Sequence, residues 1–437
     1  MILEANFDKY TNKLSATVPV KMYGKVKRVN GLLIESLGPP ASIGDLCYIF
    51  DREKKSYVTA EVVGFEDNTF FIMPYRDMAG ISPGCEILSL GKPLSIPVGD
   101  SLKGRILNGL GEPLDGKGPI QSSISYNIYR KPPEALDRLR IDKPFRVGVK
   151  AIDGCLPIGK GQRVGIFSGS GVGKSTLLGM MARGSESDIN VIALIGERGR
   201  EVKEFIDNVL GEKGLSKSVL VVVTSDQPAL MRIKGAYVAT TIAEYFRDQG
   251  KSVLFLMDSV TRFAMAQREV GLSLGEPPTT KGYTPSVFGM LPKLMERTGM
   301  GDHGSITAFY TVLVDADDFN EPISDACRSI LDGHIMLSRR LASKNHYPSI
   351  DILDSVSRLS DEVSTPEQRQ WMRRIKELIA VYEEARDLIN IGAYVKGSNP
   401  KIDESISKID NINSFLKQDF HELYSFDKVM EVMKKVV

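Results

Sequence analysis

From about residue 20 to residue 96 the chain breaks into short apolar segments between turn residues. Gly31-Leu-Leu-Ile-Glu, Leu46-Cys-Tyr-Ile-Phe, Val58-Thr-Ala-Glu-Val-Val-Gly and Thr69-Phe-Phe-Ile-Met are separated by Gly, Pro, Asp and Asn. A recurrence of roughly ten residues predicts short antiparallel strands closing into a small barrel or sandwich. Glycine and proline then crowd residues 98–118, a connecting segment packed over a core, and a domain boundary falls near residue 95.

The middle of the chain has a different texture. Residues 164–167, 191–195, 218–224, 253–257 and 305–314 are almost continuously apolar, and a helical pattern around 236–247 separates two of them. Continuous apolar strands alternating with helices predict a parallel sheet covered on both faces. In the last ~70 residues the period becomes helical. Met372, Ile375, Leu378, Ile379, Tyr382, Ala385, Leu388 and Ile389 form one stripe, and Ile406, Ile409, Ile412, Phe415 and Leu416 another. The expected domains are 1–19, an N-terminal docking segment, 20–95, 96–365 and 366–437. In the first, Leu3, Phe7, Tyr10 and Leu14 are spaced for a short amphipathic helix, or for a frayed terminus.

Composition narrows the class of function. A net charge of +1 over 437 residues argues against nucleic acid as a primary partner. No apolar run approaches the ~20 residues that span a bilayer, and the first residues lack the charged-then-apolar order of a secretory signal. Cys47, Cys85, Cys155 and Cys327 form no C-x-x-C pair and read as buried thiols in a reducing compartment. These features predict a cytoplasmic protein.

The chemistry begins at Arg163-Val-Gly-Ile-Phe-Ser-Gly-Ser-Gly-Val-Gly-Lys-Ser-Thr176. An apolar strand runs into a glycine-rich turn and then a helix, as a phosphate-binding loop requires. Its backbone N–H groups converge on phosphates, Lys174 reaches the β and γ phosphates, and the Ser175 hydroxyl can ligate magnesium. Ser168 stands where the strict pattern has glycine, and serine lacks glycine's freedom at positive φ. Asp258 ends the apolar strand 253–257, the position of an acid that holds magnesium through water; alone it also reads as a helix N-cap. Glu197 follows the strand 191–195 and can polarise the attacking water, with Arg198 within reach of the γ-phosphate. In isolation that charged cluster reads as a solvated helix start, and its place after a core strand favours the catalytic reading.

Gly196-Glu-Arg-Gly-Arg-Glu-Val202 and Asp258-Ser-Val-Thr-Arg-Phe263 resemble the catalytic subunits of the rotary ATP synthase superfamily, most of all its type III secretion ATPases of the flagellar branch. The likeness continues through Pro277-Pro-Thr-Thr-Lys-Gly-Tyr-Thr-Pro-Ser-Val-Phe288, residues 304–314, Asp317-Asp-Phe-Asn-Glu-Pro-Ile323 and residues 330–335. His346-Tyr-Pro348, Asp354-Ser-Val-Ser-Arg358 and residues 392–400 carry it into the tail.

The resemblance implies an α/β architecture: a central RecA-like phosphate-loop ATPase domain, an N-terminal β-barrel and a C-terminal helical domain. ATP would be the substrate and Mg²⁺ the cofactor. Gly169, Ser170, Gly171, Val172, Gly173, Lys174, Ser175 and Thr176 would bind nucleotide, with Ser175 and Asp258 at the metal. Glu197 would activate water, and Arg198 and Arg262 would lie near the γ-phosphate. Arg358, otherwise a surface ion-pair residue, would be an arginine finger acting on the neighbouring subunit's ATP. Residues 367–371 hold no tyrosine for the adenine, and Trp371 and Tyr394 read as packing residues.

The implied protein is a homohexamer that hydrolyses ATP to drive chaperone release and protein export, peripheral at the cytoplasmic face of a membrane-embedded apparatus. Implied partners are a regulatory stator-like protein, a coiled-coil stalk protein, the export gate and chaperone–cargo complexes. A virulence-type injectisome ATPase shares nearly every motif. A ring-shaped RNA translocase would need a basic groove and stacking aromatics. A non-catalytic ring subunit would carry glutamine at Glu197, and an ATP synthase would need alternating partner subunits.

Overall fold

The computed structural model describes residues 11, 22–314 and 321–437. The proposed docking segment, apart from Thr11, and residues 317–320 of the Asp317–Ile323 motif lie outside them. The chain divides into two compact units, Met1–Leu94 and Ser95–Val437.

In the first unit six strands form a closed antiparallel barrel: Tyr23–Asn30, Leu33–Leu37, Asp45–Phe50, Tyr57–Glu66, Thr69–Pro74 and Glu86–Pro93. Alternation sends Val26, Ile34, Ile49, Val62, Ile72 and Ile87 inward, where each is at most 2% exposed. Closure leaves no free strand edge in the ring. On the outside, Phe50 and Tyr57 pair across two strands, with Tyr48 and Tyr23 beside them. Cross-strand register, not spacing along the chain, brings these aromatics together.

The second unit is built on one large sheet. Its strand order is Ile350–Ser357, Gly333–Leu337, Arg163–Ser168, Ser305–Leu313, Ser252–Asp258, Ile189–Glu197, Ser218–Thr224 and Ile106–Leu107. All these neighbours pair in parallel except Ile350–Ser357, which runs antiparallel to Gly333–Leu337. Parallel strands buried on both faces have no solvent side, and so they read as unbroken apolar runs. The glycine-rich segment after residue 97 does more than connect. Its Ile106 and Leu107 pair with Leu220 and Val221 as an outer strand, and Asp115 braces the entry by accepting from Arg105 Nε at 2.7 Å.

The helix expected at 236–247 spans Ala229–Asp248, starting directly after Pro228. Lys234 and Gly235 mask its apolar pattern, although both are buried. Near its end Glu244 forms a bidentate pair with Arg297, at 2.8 and 2.7 Å. Arg297 is 1% exposed and also donates to the Ile128 carbonyl and Thr241. Cutting one partner strands a buried charge. Glu244→Ala is therefore expected to destabilise the protein by about 3–5 kcal/mol in chemical denaturation; a loss below about 1 kcal/mol would show that the pair is already solvated.

Three helices close the chain: Pro366–Asn390, Pro400–Leu416 and Phe426–Val436. Thr365 and Asn399 cap the first two by accepting from Gln368 and Lys401 backbone N–H groups, each with proline in the first helical turn. The last was not expected. Its buried Val429, Met433 and Val436 do follow helical spacing, but flanking lysines dilute the stripe.

Candidate nucleotide site

The strand Arg163–Ser168 and the helix Lys174–Gly184 enclose the loop of residues 169–173. Gly171 and Gly173 have φ of 78° and 88°, a region open to glycine and strained for other residues. A Cβ on Gly173 would also sit 3.3 Å from the Tyr347 ring. Ser168 is still in the strand, so its position never needed glycine's freedom. Buried Val172 contributes backbone alone, its carbonyl accepting from Ser349 Oγ at 2.7 Å.

The loop opens on a cavity of about 900 Å³ that also takes in Ser175, Thr176, Glu197, Arg198 and Arg262. Lys174 pairs with Asp258 and lies 3.4 Å from Glu197 Oε1. Asp258 in turn accepts from Thr311 Oγ1 at 2.7 Å. Burial alone would push the Lys174 ammonium towards neutrality, but the carboxylates of Asp258 and Glu197 outweigh it and raise its pKa. Burial and the charge of Asp258 push the Glu197 carboxyl up to about 7, against the opposing pull of Lys174. A carboxyl poised near neutrality in a cleft is suited to moving a proton.

The arginines differ. Arg262 stands in the first turn of Val260–Ser273, its stem against Gly196, and its buried Nε has no partner among the described residues. An orphaned cationic donor on the cavity wall fits an anionic ligand. Arg198 immediately precedes the helix Gly199–Glu204, its exposed side chain pairs with Glu201 at 2.9 Å, and it lines the cavity. Arg358 is outside the cavity. Its N–H donates to the Asp332 carbonyl at 3.1 Å and its Nη2 to the Arg328 carbonyl at 3.1 Å. Asp332 in turn accepts from the Arg163 N–H, so Arg358 lies level with the beginning of the phosphate-loop strand. The loop begins at the strand's other end, about 17 Å away at the usual rise per residue. That is farther than an arginine side chain extends.

The aromatic wall of the cavity was not legible beforehand. Tyr347 and Phe420 line it, together with Pro348, Gln418 and Asp419. Trp371 packs instead on the core that the C-terminal helices share with the sheet, and the Tyr394 hydroxyl bonds Asn399 and Asp403. The donor set suits ATP with magnesium. The phosphate loop, Lys174, Ser175 and Arg262 line the cavity, and the Asp258 carboxylate pairs with Lys174. Two aromatic rings, Tyr347 beside the loop and Phe420, complete the lining.

Comparison with known proteins places this geometry. A profile of the ATP synthase alpha/beta family, nucleotide-binding domain, matches residues 148–357, and that family's beta-barrel domain matches 26–91. The T3SS EscN ATPase C-terminal domain matches 364–435. The chain is 54% identical over 410 residues to the "Flagellum-specific ATP synthase" of Bacillus subtilis, covering 94% of each. Assembled EscN of the enteropathogenic E. coli type III secretion system superposes with a TM-score of 0.90 at 48% identity, covering 94% of this chain and 99% of EscN. EscN in complex with its central stalk EscO gives 0.88 at 47% identity, with the same coverage.

Proposed function

Because this chain belongs to the ATP synthase alpha/beta family, in its type III secretion branch, we propose that it hydrolyses ATP to drive protein export through a flagellar secretion apparatus. The observation that carries the catalytic reading is Glu197, raised to about 7 and set beside Lys174 and Asp258 under the phosphate loop. The flagellar assignment follows flagellar relatives that reach 54% identity over 94% of the chain, while an ATPase from the type III secretion system of pathogenic bacteria reaches 52% over 78% of it.

In the proposed reaction, loop amides and Lys174 hold the β and γ phosphates while Glu197 orients water and takes its proton. Arg262 and Arg198 offset charge growing on the γ-phosphate. Ser175 and Asp258 would hold magnesium, which would supply positive charge against the phosphates. Tyr347 and Phe420 stack on the adenine. Arg358 cannot reach the phosphates bound by its own chain, so it acts on a neighbour's. That supports a closed ring, six subunits in our reading, and assembled EscN is a precedent for association.

The stalk-bound relative supports a coiled-coil partner on the ring axis. A stator-like regulator, chaperone–cargo complexes and the export gate complete the proposed partners. Among the described residues no helix is long and apolar enough to cross a membrane. We place the protein at the cytoplasmic face of the export apparatus, touching the membrane only peripherally.

A chromosomal Lys174→Ala replacement tests the whole reading. Nucleotide affinity of the purified protein is expected to drop at least about tenfold, since the variant loses a direct charge on the phosphates. Cells carrying it should assemble no filaments. Tight nucleotide binding in the variant would overturn the loop assignment, and normal filaments with impaired virulence secretion would transfer the protein to an injectisome.

A further inference from the structure

Arg358 has little means of holding itself in place. Its side chain is exposed and, among the described residues, makes one hydrogen bond, to the Arg328 carbonyl. A long, solvated arginine loses rotamer entropy whenever it is fixed, so its aim has to come from the backbone that presents it. That backbone leaves the strand ladder that pairs Ser357 with Gly333, and one buried amide reaches it from beneath. Gln162 is 0% exposed, and its Nε2 donates both to the Asp332 carbonyl at 2.9 Å and to Ser357 Oγ at 3.2 Å. The same Asp332 carbonyl accepts the Arg358 N–H at 3.1 Å, and Ser357 is the residue before Arg358. The Gln162 Oε1 accepts from the Gly159 N–H at 2.8 Å, and Ser357 Oγ donates onward to the Pro157 carbonyl at 2.7 Å.

The amide is also continuous with the nucleotide-binding strand. Arg163, the next residue, opens the strand that ends at the phosphate loop. Its backbone N–H, Nε and Nη2 all bond the Asp332 carboxylate, at 3.1, 3.1 and 3.2 Å. Arg163 extends the chain of contacts to Glu296 at 2.5 Å, and Arg138 pairs with the same carboxylate at 3.1 Å. Asp332 is therefore gripped at both its carbonyl and its carboxylate by two consecutive residues at the root of the phosphate-loop strand.

We infer that Gln162, supported by Asp332, is a positioning residue for Arg358, and that it ties the aim of the arginine offered to a neighbour to the strand that carries the chain's own phosphate loop. The inference rests on Arg358 acting in trans as proposed above. A buried amide with both ends engaged transmits displacement with little slack, because leaving either end unpaired costs about 1–3 kcal/mol. A shift of the strand on nucleotide binding would move the Asp332 carbonyl and Ser357 together, and Arg358 with them.

A double-mutant cycle on turnover tests this, using the full chain at concentrations where specific activity has reached its plateau. Gln162→Met keeps the length and bulk of the side chain and deletes its hydrogen bonds. Its kcat is expected to fall roughly 10- to 100-fold, the effect of about an ångström of misplacement. The KM for ATP and the affinity for a fluorescent ATP analogue should stay within about twofold, since the phosphate contacts are intact. In an Arg358→Ala background the same substitution should change kcat by less than about twofold, because the group that it positions is gone. A purely structural glutamine would lower turnover by the same factor in both backgrounds, and that result overturns the inference.

Unchanged kcat for Gln162→Met beside a crippled Arg358→Ala would also overturn it while leaving the trans arginine standing. An active Arg358→Ala would fail the trans reading, and this inference with it. If Gln162→Met does not fold, Asp332→Asn keeps the carbonyl and weakens the grip of Arg163. The same cycle should then show a loss of at least about threefold that vanishes without Arg358, and an equal loss in both backgrounds, or none, refutes the link.

Discussion

Glu197→Gln should reduce ATP turnover by roughly 10²- to 10⁴-fold, the usual contribution of a positioned general base. Glutamine keeps the shape of the carboxylate and cannot accept the proton of the attacking water. The affinity for ATP should stay near the native value or rise, since a negative group facing the phosphates has been removed. The pH profile gives a second signature. Burial and Asp258 raise the Glu197 carboxyl to about 7, so below that pH the base is already protonated. Native kcat/KM, which reports the free enzyme, should fall as pH drops through about 7 and level off above it. Equilibrium ATP binding and single-turnover hydrolysis across pH 5.5–8.5 check both points. Native-like turnover in the variant would remove Glu197 from the chemistry.

Arg358→Ala should lower turnover by about 10³-fold or more, within the range found for arginine fingers. The loss should depend on assembly. Native specific activity is expected to climb with protein concentration as each cavity gains its neighbour's arginine, whereas the variant stays flat and low although it binds ATP. The geometry makes this a sharp test: Arg358 lies level with Arg163 at one end of the phosphate-loop strand, and the loop begins after Ser168 at the other. Activity independent of concentration in the native protein, or untouched in Arg358→Ala, would mean that each subunit completes its own site.

What could be read in advance was whatever the chain encodes within a few residues. The phosphate loop, the acids at the ends of apolar strands and the central parallel strands all have local signatures, and so does the segmented pattern of the barrel. Contacts made across the fold have none. Tyr347 meets Gly173 because Pro348 and Ser349 lead into an edge strand that returns beside the loop, and nothing near residue 347 announces the partner. The strand Ile350–Ser357 has no clear local signature for a related reason. Ile-Asp-Ile-Leu-Asp-Ser-Val-Ser mixes polar and apolar residues, as an outer strand with one wet face does, and it lacks the solid apolar run of its buried neighbours. Gln162 is the extreme case. A polar residue beside a charged one reads as surface, yet it is fully buried because two backbone groups, of Gly159 and the distant Asp332, and the Ser357 hydroxyl use its amide.

The length of one short strand separates the phosphate loop from Arg358, and this has a consequence for inheritance. A subunit without Arg358 keeps its own grip on ATP, takes its place beside native copies, and disables the site next door. The damage falls on a healthy neighbour, so an Arg358→Ala allele should be dominant over the native gene, whereas an allele whose product never assembles should be recessive. With equal expression and random mixing, roughly one six-membered ring in sixty would contain native subunits alone. Cells carrying both copies should swim poorly.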